Sequence, residues 1–125
     1  MPRLDHLIMS VNDLDESVLF YTQVIGLKDD GKRAPFAQLR VQRDFVILLA
    51  PFGTEGNDHF AFCLTQAEFE ETFERIRKAG LEYGDTFDQA SNMKGPGTAE
   101  GAHGESVSLY LFDPNHHLIE LLYYK

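Results

Sequence analysis

Residues 4–27 read LDHLIMSVNDLDESVLFYTQVIGL, and residues 58–81 read DHFAFCLTQAEFEETFERIRKAGL. Each stretch contains an Asp-His pair at the start of a short apolar strand, followed by an amphipathic helix that ends at a glycine. The spacing from His6 to Gly26 is 20 positions and that from His59 to Gly80 is 21. This agreement predicts one structural module used twice, with the two histidines at equivalent positions.

Both predicted helices have recognisable ends. Asn12 and Asp13 provide a polar cap for the first helix, and Thr65 with Glu68 has the spacing of a capping box in the second. Gly26 and Gly80 are the expected stops. Apolar residues recur at helical spacing in both segments, namely Leu14, Val18, Tyr21 and Ile25 in the first and Phe69, Phe73, Ile76 and Ala79 in the second.

Three further strands are expected after each helix. In the first half they lie near 27–30, 36–41 and 44–51, and in the second half near 82–87, 106–112 and 118–124. The stretch NMKGPGTAEGAHGES, residues 92–106, is rich in glycine and is predicted to be a long functional loop.

The resulting fold class is α+β, with two β-α-β-β-β modules in one domain covering residues 1–125. Module one spans residues 1–53 and module two residues 57–125, separated by the breaking residues Gly53, Gly56 and Asn57. The modules are expected to form a curved, mostly antiparallel eight-stranded sheet around a metal-containing cleft, with the helices outside.

Composition narrows the class of ligand. A formal net charge of -9 argues against nucleic acid and anionic membranes as partners, since such a surface repels phosphate. Small molecules are therefore the expected ligands. The first residues fit neither a signal peptide nor a membrane span. A single cysteine, Cys63, indicates a reducing cytoplasm and is expected to be a small buried residue.

Three side chains are predicted to bind a metal. His6 and His59 each lie on the strand face with small or polar neighbours. Glu120 is flanked by apolar residues, so its carboxylate is expected to be buried and to need a cation, a proton or a metal. Two imidazoles and one carboxylate hold iron or zinc and leave coordination positions open.

A hairpin turn at 113–117 would place Phe112 opposite Leu118 and Tyr110 opposite Glu120. His116 and His117 lie in that turn and are expected to be solvated. Two further polar residues, Gln38 and Arg40, share a strand face, which is either a site for an anionic substrate group or an exposed polar surface.

Together with SLYLFDPNHHLIEL at 108–121, the two repeated stretches resemble the vicinal oxygen chelate superfamily. Its members include glyoxalase I, fosfomycin-resistance thiol transferases, bleomycin-binding proteins and extradiol dioxygenases. The resemblance implies paired modules that hold a metal through His6, His59 and Glu120. A glyoxalase I would have a fourth ligand on the strand VILLA, residues 46–50, which offers no donor.

The segment from Gly101-Ala102-His103 through Tyr110 and Asp113-Pro114 to Glu120 resembles the signature of extradiol dioxygenases. This implies that His103 and Tyr110 are catalytic and that a catechol-like substrate with two vicinal oxygens is cleaved with Fe(II). Zn, Mn or Ni are the alternative metals.

Two other functions stay open. One is a glyoxalase-like lyase or isomerase, or a fosfomycin-type thiol transferase, with the metal as Lewis acid. The other is a non-catalytic drug-binding protein of the bleomycin-resistance type. A homodimer is expected in each case.

Overall fold

The computed structural model describes all 125 residues, which divide into two compact units, Met1–Glu55 and Gly56–Lys125. Each unit has the element order β-α-β-β-β and contains one four-stranded sheet. The predicted α+β class and the two βαβββ modules are therefore confirmed. Neither helix is both long enough and apolar enough to cross a membrane.

The elements of the first unit are β1 (His6–Ser10), α1 (Leu14–Leu19), a π-helical continuation (Phe20–Ile25), β2 (Lys28–Arg33), β3 (Phe36–Gln42) and β4 (Phe45–Ala50). Asp13 is the N-cap of α1, and its side chain accepts a hydrogen bond from the Glu16 amide at 2.9 Å. Gly26 ends the helix with φ of 95°, a left-handed conformation that favours glycine. The π-helical turn was not predicted. At its end, the Gly26 amide donates to the Tyr21 carbonyl five residues back, which is the π-helical spacing.

The strand order in this sheet is β1-β4-β3-β2, which leaves β1 at one edge. β1 runs parallel to β4, so that His6 lies opposite Val46, whereas the other pairs are antiparallel. The core includes Met9, Leu39 and Leu49, all of which are almost fully buried.

The elements of the second unit are β5 (His59–Cys63), α2 (Gln66–Lys78), β6 (Gly97–Gly101), β7 (Gly104–Phe112) and β8 (Leu118–Tyr124). The predicted capping box is present, because the Glu68 amide donates to Thr65 Oγ1 at 3.1 Å and the Thr65 amide donates to Glu68 Oε1 at 2.9 Å. The strand order is β5-β8-β7-β6, with β5 parallel to β8.

The prediction of a strand at 82–87 is wrong. Two isolated bridges form there instead: Gly84 exchanges backbone hydrogen bonds of 2.8 and 3.0 Å with Tyr110, and Thr86 is bridged to Gln89. The missing strand is Gly97–Gly101, inside the stretch predicted to be a loop. Those glycine-rich residues have little strand propensity of their own, and their pairing with β7 through a two-residue turn imposes the strand.

Alternation along β7 and β8 separates a core face from a polar face. Leu109, Leu111, Ile119 and Leu121 are fully buried. They lie on the same face as Tyr123, whose ring contacts Phe69 of α2 at 5.1 Å between centroids. Ser106, Ser108, Tyr110 and Glu120 therefore lie on the opposite face. This polar face positions the candidate site.

Candidate metal centre

Two of the predicted metal ligands meet on the polar face of the second sheet. His59 Nε2 and Glu120 Oε1 are 3.3 Å apart. The register of the sheet explains the contact, since His59 lies opposite Leu118 and Glu120 lies opposite Ala61 on neighbouring parallel strands.

The hydrogen bond of the other His59 ring nitrogen, Nδ1, shows whether Nε2 carries a proton or a lone pair. His59 Nδ1 lies 3.0 Å from the Leu118 carbonyl oxygen, which can only accept, so Nδ1 carries the proton. In the neutral ring, Nε2 then presents a lone pair to a carboxylate oxygen. Two acceptors at that separation require a proton or a metal ion between them.

The pair fits a metal ion by distance and by chemistry. Two ligands that each bind a divalent ion at about 2.1 Å are separated by roughly 3.0–3.4 Å for bond angles between octahedral and tetrahedral values. The observed 3.3 Å lies within that range. Metal-binding histidines commonly donate their second ring N–H to a backbone carbonyl, as His59 does. The residues present therefore fit a divalent metal.

Glu120 is held by neutral groups on its other side. The side chain is nearly buried, and its ion-pair partner is the His59 ring rather than a lysine or arginine. Ser108 Oγ donates to Glu120 Oε2 at 2.9 Å. One carboxylate oxygen is thus occupied by a hydrogen bond, which leaves Oε1 directed at His59.

Tyr110 completes the cluster in the position predicted from the hairpin. It lies directly opposite Glu120 in the β7–β8 register, and Phe112 lies opposite Leu118. Its ring is stacked on that of His59, with centroids 6.5 Å apart. Burial, and secondarily the negative charge of Glu120, raises the pKa of Tyr110 above its usual value. The phenol is therefore a hydrogen-bond donor at neutral pH.

The third predicted ligand, His6, belongs to the first unit. Its Nδ1 lies 2.7 Å from Asp5 Oδ2, an acceptor that assigns the proton to Nδ1 and leaves Nε2 available to a metal. This hydrogen bond lowers the pKa of Asp5. Nowhere in the structure do three or more His, Cys, Asp or Glu side chains form a group able to hold a metal. Two of the three predicted donors are brought together.

His103 lies away from this cluster. It occupies the turn between β6 and β7, where its ring contacts that of Tyr124 at 5.6 Å and its amide donates to the Tyr124 hydroxyl. Tyr110 lies six residues beyond Gly104, about 20 Å along an extended strand. Within the second unit, the structure does not bring His103 to His59 and Glu120. Residues 97–106, which were predicted to belong to a long functional loop, form instead a tight hairpin of β6 and the start of β7.

A cavity of about 490 Å³ opens beside the cluster. Small-molecule sites commonly have volumes of this order. Its lining includes Asp58, His59, Phe87, Phe112, His116 and Leu118. The Phe112 and His116 rings are stacked with centroids 4.0 Å apart, and Phe87 is 68% exposed. The cavity therefore presents aromatic surface next to a predicted metal ligand.

Two expectations for single residues are wrong. His117 is fully buried rather than solvated, because the turn directs it inward, where its ring packs edge-on against Phe60. Cys63 is exposed rather than buried, since it shares the outward face of β5 with His59.

Gln38 and Arg40 both bind a neighbouring carboxylate. Arg40 lies 2.8 Å from Asp30 Oδ2 and Gln38 donates to the same oxygen at 3.3 Å. Chiefly through the Gln38 hydrogen bond, these contacts lower the pKa of Asp30. The contacts favour a paired polar surface over a free anion site.

The polar support of the site was not predicted from the sequence. Ser106 and Ser108 are both completely buried and lie on the same face as Tyr110. The available signal was the alternation in SVSLYL, residues 106–111, which puts both hydroxyls on the strand face that carries Tyr110.

Comparisons with known proteins give one family model and several similar proteins. The family model described as Glyoxalase/Bleomycin resistance protein/Dioxygenase superfamily matches residues 3–121. Virulence protein STM3117 of Salmonella typhimurium is 28% identical, over 98% of this chain and 84% of that protein. Glutathione transferase FosA of Serratia marcescens is 27% identical, over 94% and 78%. The solved structure of Oxidase ChaP-H1 has a TM-score of 0.81 and 25% identity, covering 100% of this chain and 98% of that one.

Proposed function

Because this chain belongs to the Glyoxalase/Bleomycin resistance protein/Dioxygenase superfamily, we propose that it is a metal-dependent enzyme acting on a small molecule with two vicinal oxygens. The main support is the distance of 3.3 Å between His59 Nε2 and Glu120 Oε1. Each group is also fixed by a second hydrogen bond, His59 by the Leu118 carbonyl and Glu120 by the Ser108 hydroxyl. His6, with its Nε2 free, is the proposed third ligand.

Two histidines and one carboxylate favour Fe(II), with Zn, Mn and Ni as alternatives, and leave positions for other ligands. The metal would lower the pKa of substrate hydroxyls and hold the two substrate oxygens. The protein's own residues orient the substrate. Tyr110 would donate a hydrogen bond to a substrate oxygen in place of the one it directs at Glu120, and its raised pKa keeps the proton on the phenol.

The proposed reaction is extradiol-type ring cleavage of a catechol-like compound. The stacked Phe112 and His116 rings and the exposed Phe87 support an aromatic substrate, because flat rings pack favourably against aromatic walls. The likeness to a protein named an oxidase also supports oxidation. In this reaction both atoms of O₂ enter the product as one ring C–C bond breaks. His103 is left out of the proposed site because of its position in the hairpin turn.

A thiol transferase is the second candidate, supported by the 27% identity to a glutathione transferase. The same three ligands would then serve a metal that acts only as a Lewis acid. This version predicts activity with Mn and no requirement for oxygen.

One experiment compares the two reactions. Protein loaded with Fe(II) in the absence of oxygen is mixed with a catechol panel while oxygen uptake is recorded. A parallel sample loaded with Mn(II) receives glutathione and fosfomycin, and thiol loss is measured. Equimolar uptake of oxygen and loss of catechol supports ring cleavage. Thiol loss without oxygen uptake overturns it in favour of transfer.

Residue sharing between subunits is testable by mixing variants. We propose a homodimer, in which His6 joins His59 and Glu120 either of its own chain or of a second copy. If His6 binds the metal of a second copy, refolding the His6→Ala and His59→Ala variants together should restore about a quarter of the parent's metal content. The reason is that half of randomly formed dimers are mixed, and each mixed dimer has one complete site out of two. Absence of recovery assigns all three ligands to one chain.

A further inference from the structure

We propose that Ser108, oriented by Ser106, is a positioning residue that fixes the Glu120 carboxylate for metal binding. This inference rests on the proposed function. It concerns two residues that are not ligands themselves, and it explains why two hydroxyls are buried completely on one strand face.

The direction of the hydrogen bonds follows from their final acceptor. An ionised carboxylate has no proton to donate, so the Ser108 hydroxyl must donate to Glu120 Oε2 across 2.9 Å. Ser108 Oγ then accepts from Ser106, whose Oγ is 2.9 Å away. The alternative acceptor for the Ser106 proton, the Ala99 carbonyl, is farther away at 3.3 Å. The relay therefore runs from Ser106 through Ser108 to Glu120.

The relay restricts rotation of the carboxylate. With Oε2 held by Ser108, Oε1 is the oxygen that faces His59 Nε2. Without the Ser108 hydroxyl, Oε2 loses this hydrogen bond in a nearly buried position, and rotation of the carboxylate about its last torsion is less restricted. The bound metal would then have to hold the carboxylate in its binding orientation, and the free energy spent on this would lower the affinity for the metal.

A structural role alone makes a different prediction. If the two serines only fill space, replacing either by alanine changes stability but leaves metal affinity and metal coordination unaltered. If they position Glu120, both the affinity and the coordination of a bound metal change. Affinity and ligand-field spectrum therefore distinguish the two roles.

The test is a titration of the metal-free full chain with Co(II), followed by its visible absorption. We expect Ser108→Ala to weaken Co(II) binding by about 10- to 100-fold, as is typical for loss of a group that supports a ligand, and to shift the absorption bands. Ser106→Ala should weaken binding by a smaller factor. The double variant should be no weaker than Ser108→Ala, because both changes break one relay.

Controls separate this outcome from general damage. Ser17→Ala removes another fully buried serine hydroxyl, from α1, and should leave the affinity within twofold of the parent's. Ser108→Thr keeps the hydroxyl and should restore most of the affinity. If Ser108→Ala fails to fold, Ser106→Ala and Ser108→Thr still provide the comparison.

Two results would overturn the proposal in distinguishable ways. In the first, the parent binds Co(II) and Ser108→Ala binds it equally well with an unchanged spectrum; Ser106→Ala is used for this comparison if Ser108→Ala does not fold. The relay then has no positioning role, and the proposed function survives. If the parent itself binds no Co(II), the proposed function fails, and the relay proposal fails with it.

Discussion

Replacing Glu120 by glutamine should stabilise the metal-free protein while abolishing its response to metal. In the absence of metal, Glu120 is a nearly buried carboxylate beside His59 Nε2, and these two acceptors need a shared proton. A glutamine of the same shape has no charge to desolvate. Its carbonyl can accept from Ser108, and its amide N–H can donate to His59 Nε2. Every polar group of the cluster is then satisfied without a cation.

The expected size of the effect follows from the burial of the pair. Replacing a buried ion pair by well-packed apolar groups is often stabilising by about 1–4 kcal/mol. Because glutamine removes only the carboxylate charge and the His59 side chain is 46% exposed, we expect a gain of about 1 kcal/mol here. For a chain of 125 residues, about 1 kcal/mol corresponds to roughly 4 °C in melting temperature. Metal at about 100 times its Kd should stabilise the parent by about 2.7 kcal/mol, or roughly 10 °C, and should not stabilise the variant.

The assay is thermal unfolding at pH 8 followed by circular dichroism, with EDTA and with saturating Zn(II). The variant should melt above the parent in EDTA and below it in zinc. Glu100→Gln is the matched control, since it changes an exposed glutamate on β6 and should move the melting temperature in neither direction. The reasoning is refuted if Glu120→Gln melts below the parent in EDTA, or if zinc stabilises both proteins equally.

Three further predictions concern the support of the second unit. Thr65→Ala removes the N-cap of α2 and should lower the free energy of unfolding by about 1 kcal/mol at pH 7 in urea titrations. The capping hydrogen bonds hold the pKa of Glu68 below 4.5, so its contribution is present above pH 4.5 and is lost as the pH falls through the lowered value. A Glu68→Ala variant should therefore differ from the parent at pH 7 and match it in strong acid, and an equal difference at both pH values would contradict this. Gly101→Ala places a methyl group against the Tyr124 ring, 2.9 Å from Cε1, and should cost about 1–3 kcal/mol by urea denaturation. Adding Tyr124→Ala should recover part of that loss, and strict additivity would show that the two positions do not interact.

Local chemistry in the sequence predicted the elements that form through local contacts. The N-caps at Asp13 and Thr65 and the glycine stop at Gly26 depend on residues within one turn, and each is present. The facing of Tyr110 and Glu120 also followed from the sequence, because a short turn fixes the register of the hairpin it closes.

Features set by distant contacts were not predictable in the same way. The residues of β6 form a strand because β7 offers a partner edge, and position 101 is a glycine there because Tyr124 leaves no room for a side chain. Residues near Gly84 alternate as a strand would, yet only one bridge to Tyr110 forms. The role of Ser108 was likewise not predictable from local sequence, because it depends on Glu120, which β8 brings within hydrogen-bond distance.

The central claim, that His59 and Glu120 share one metal ion with His6, is tested most directly by metal content. Protein without an affinity tag is purified in the absence of oxygen and analysed by mass spectrometry of its metals, beside His59→Ala prepared identically. We predict about one divalent metal per chain in the parent and almost none in the variant. Equal metal in both proteins, or none in the parent after incubation with Fe(II), would contradict the account.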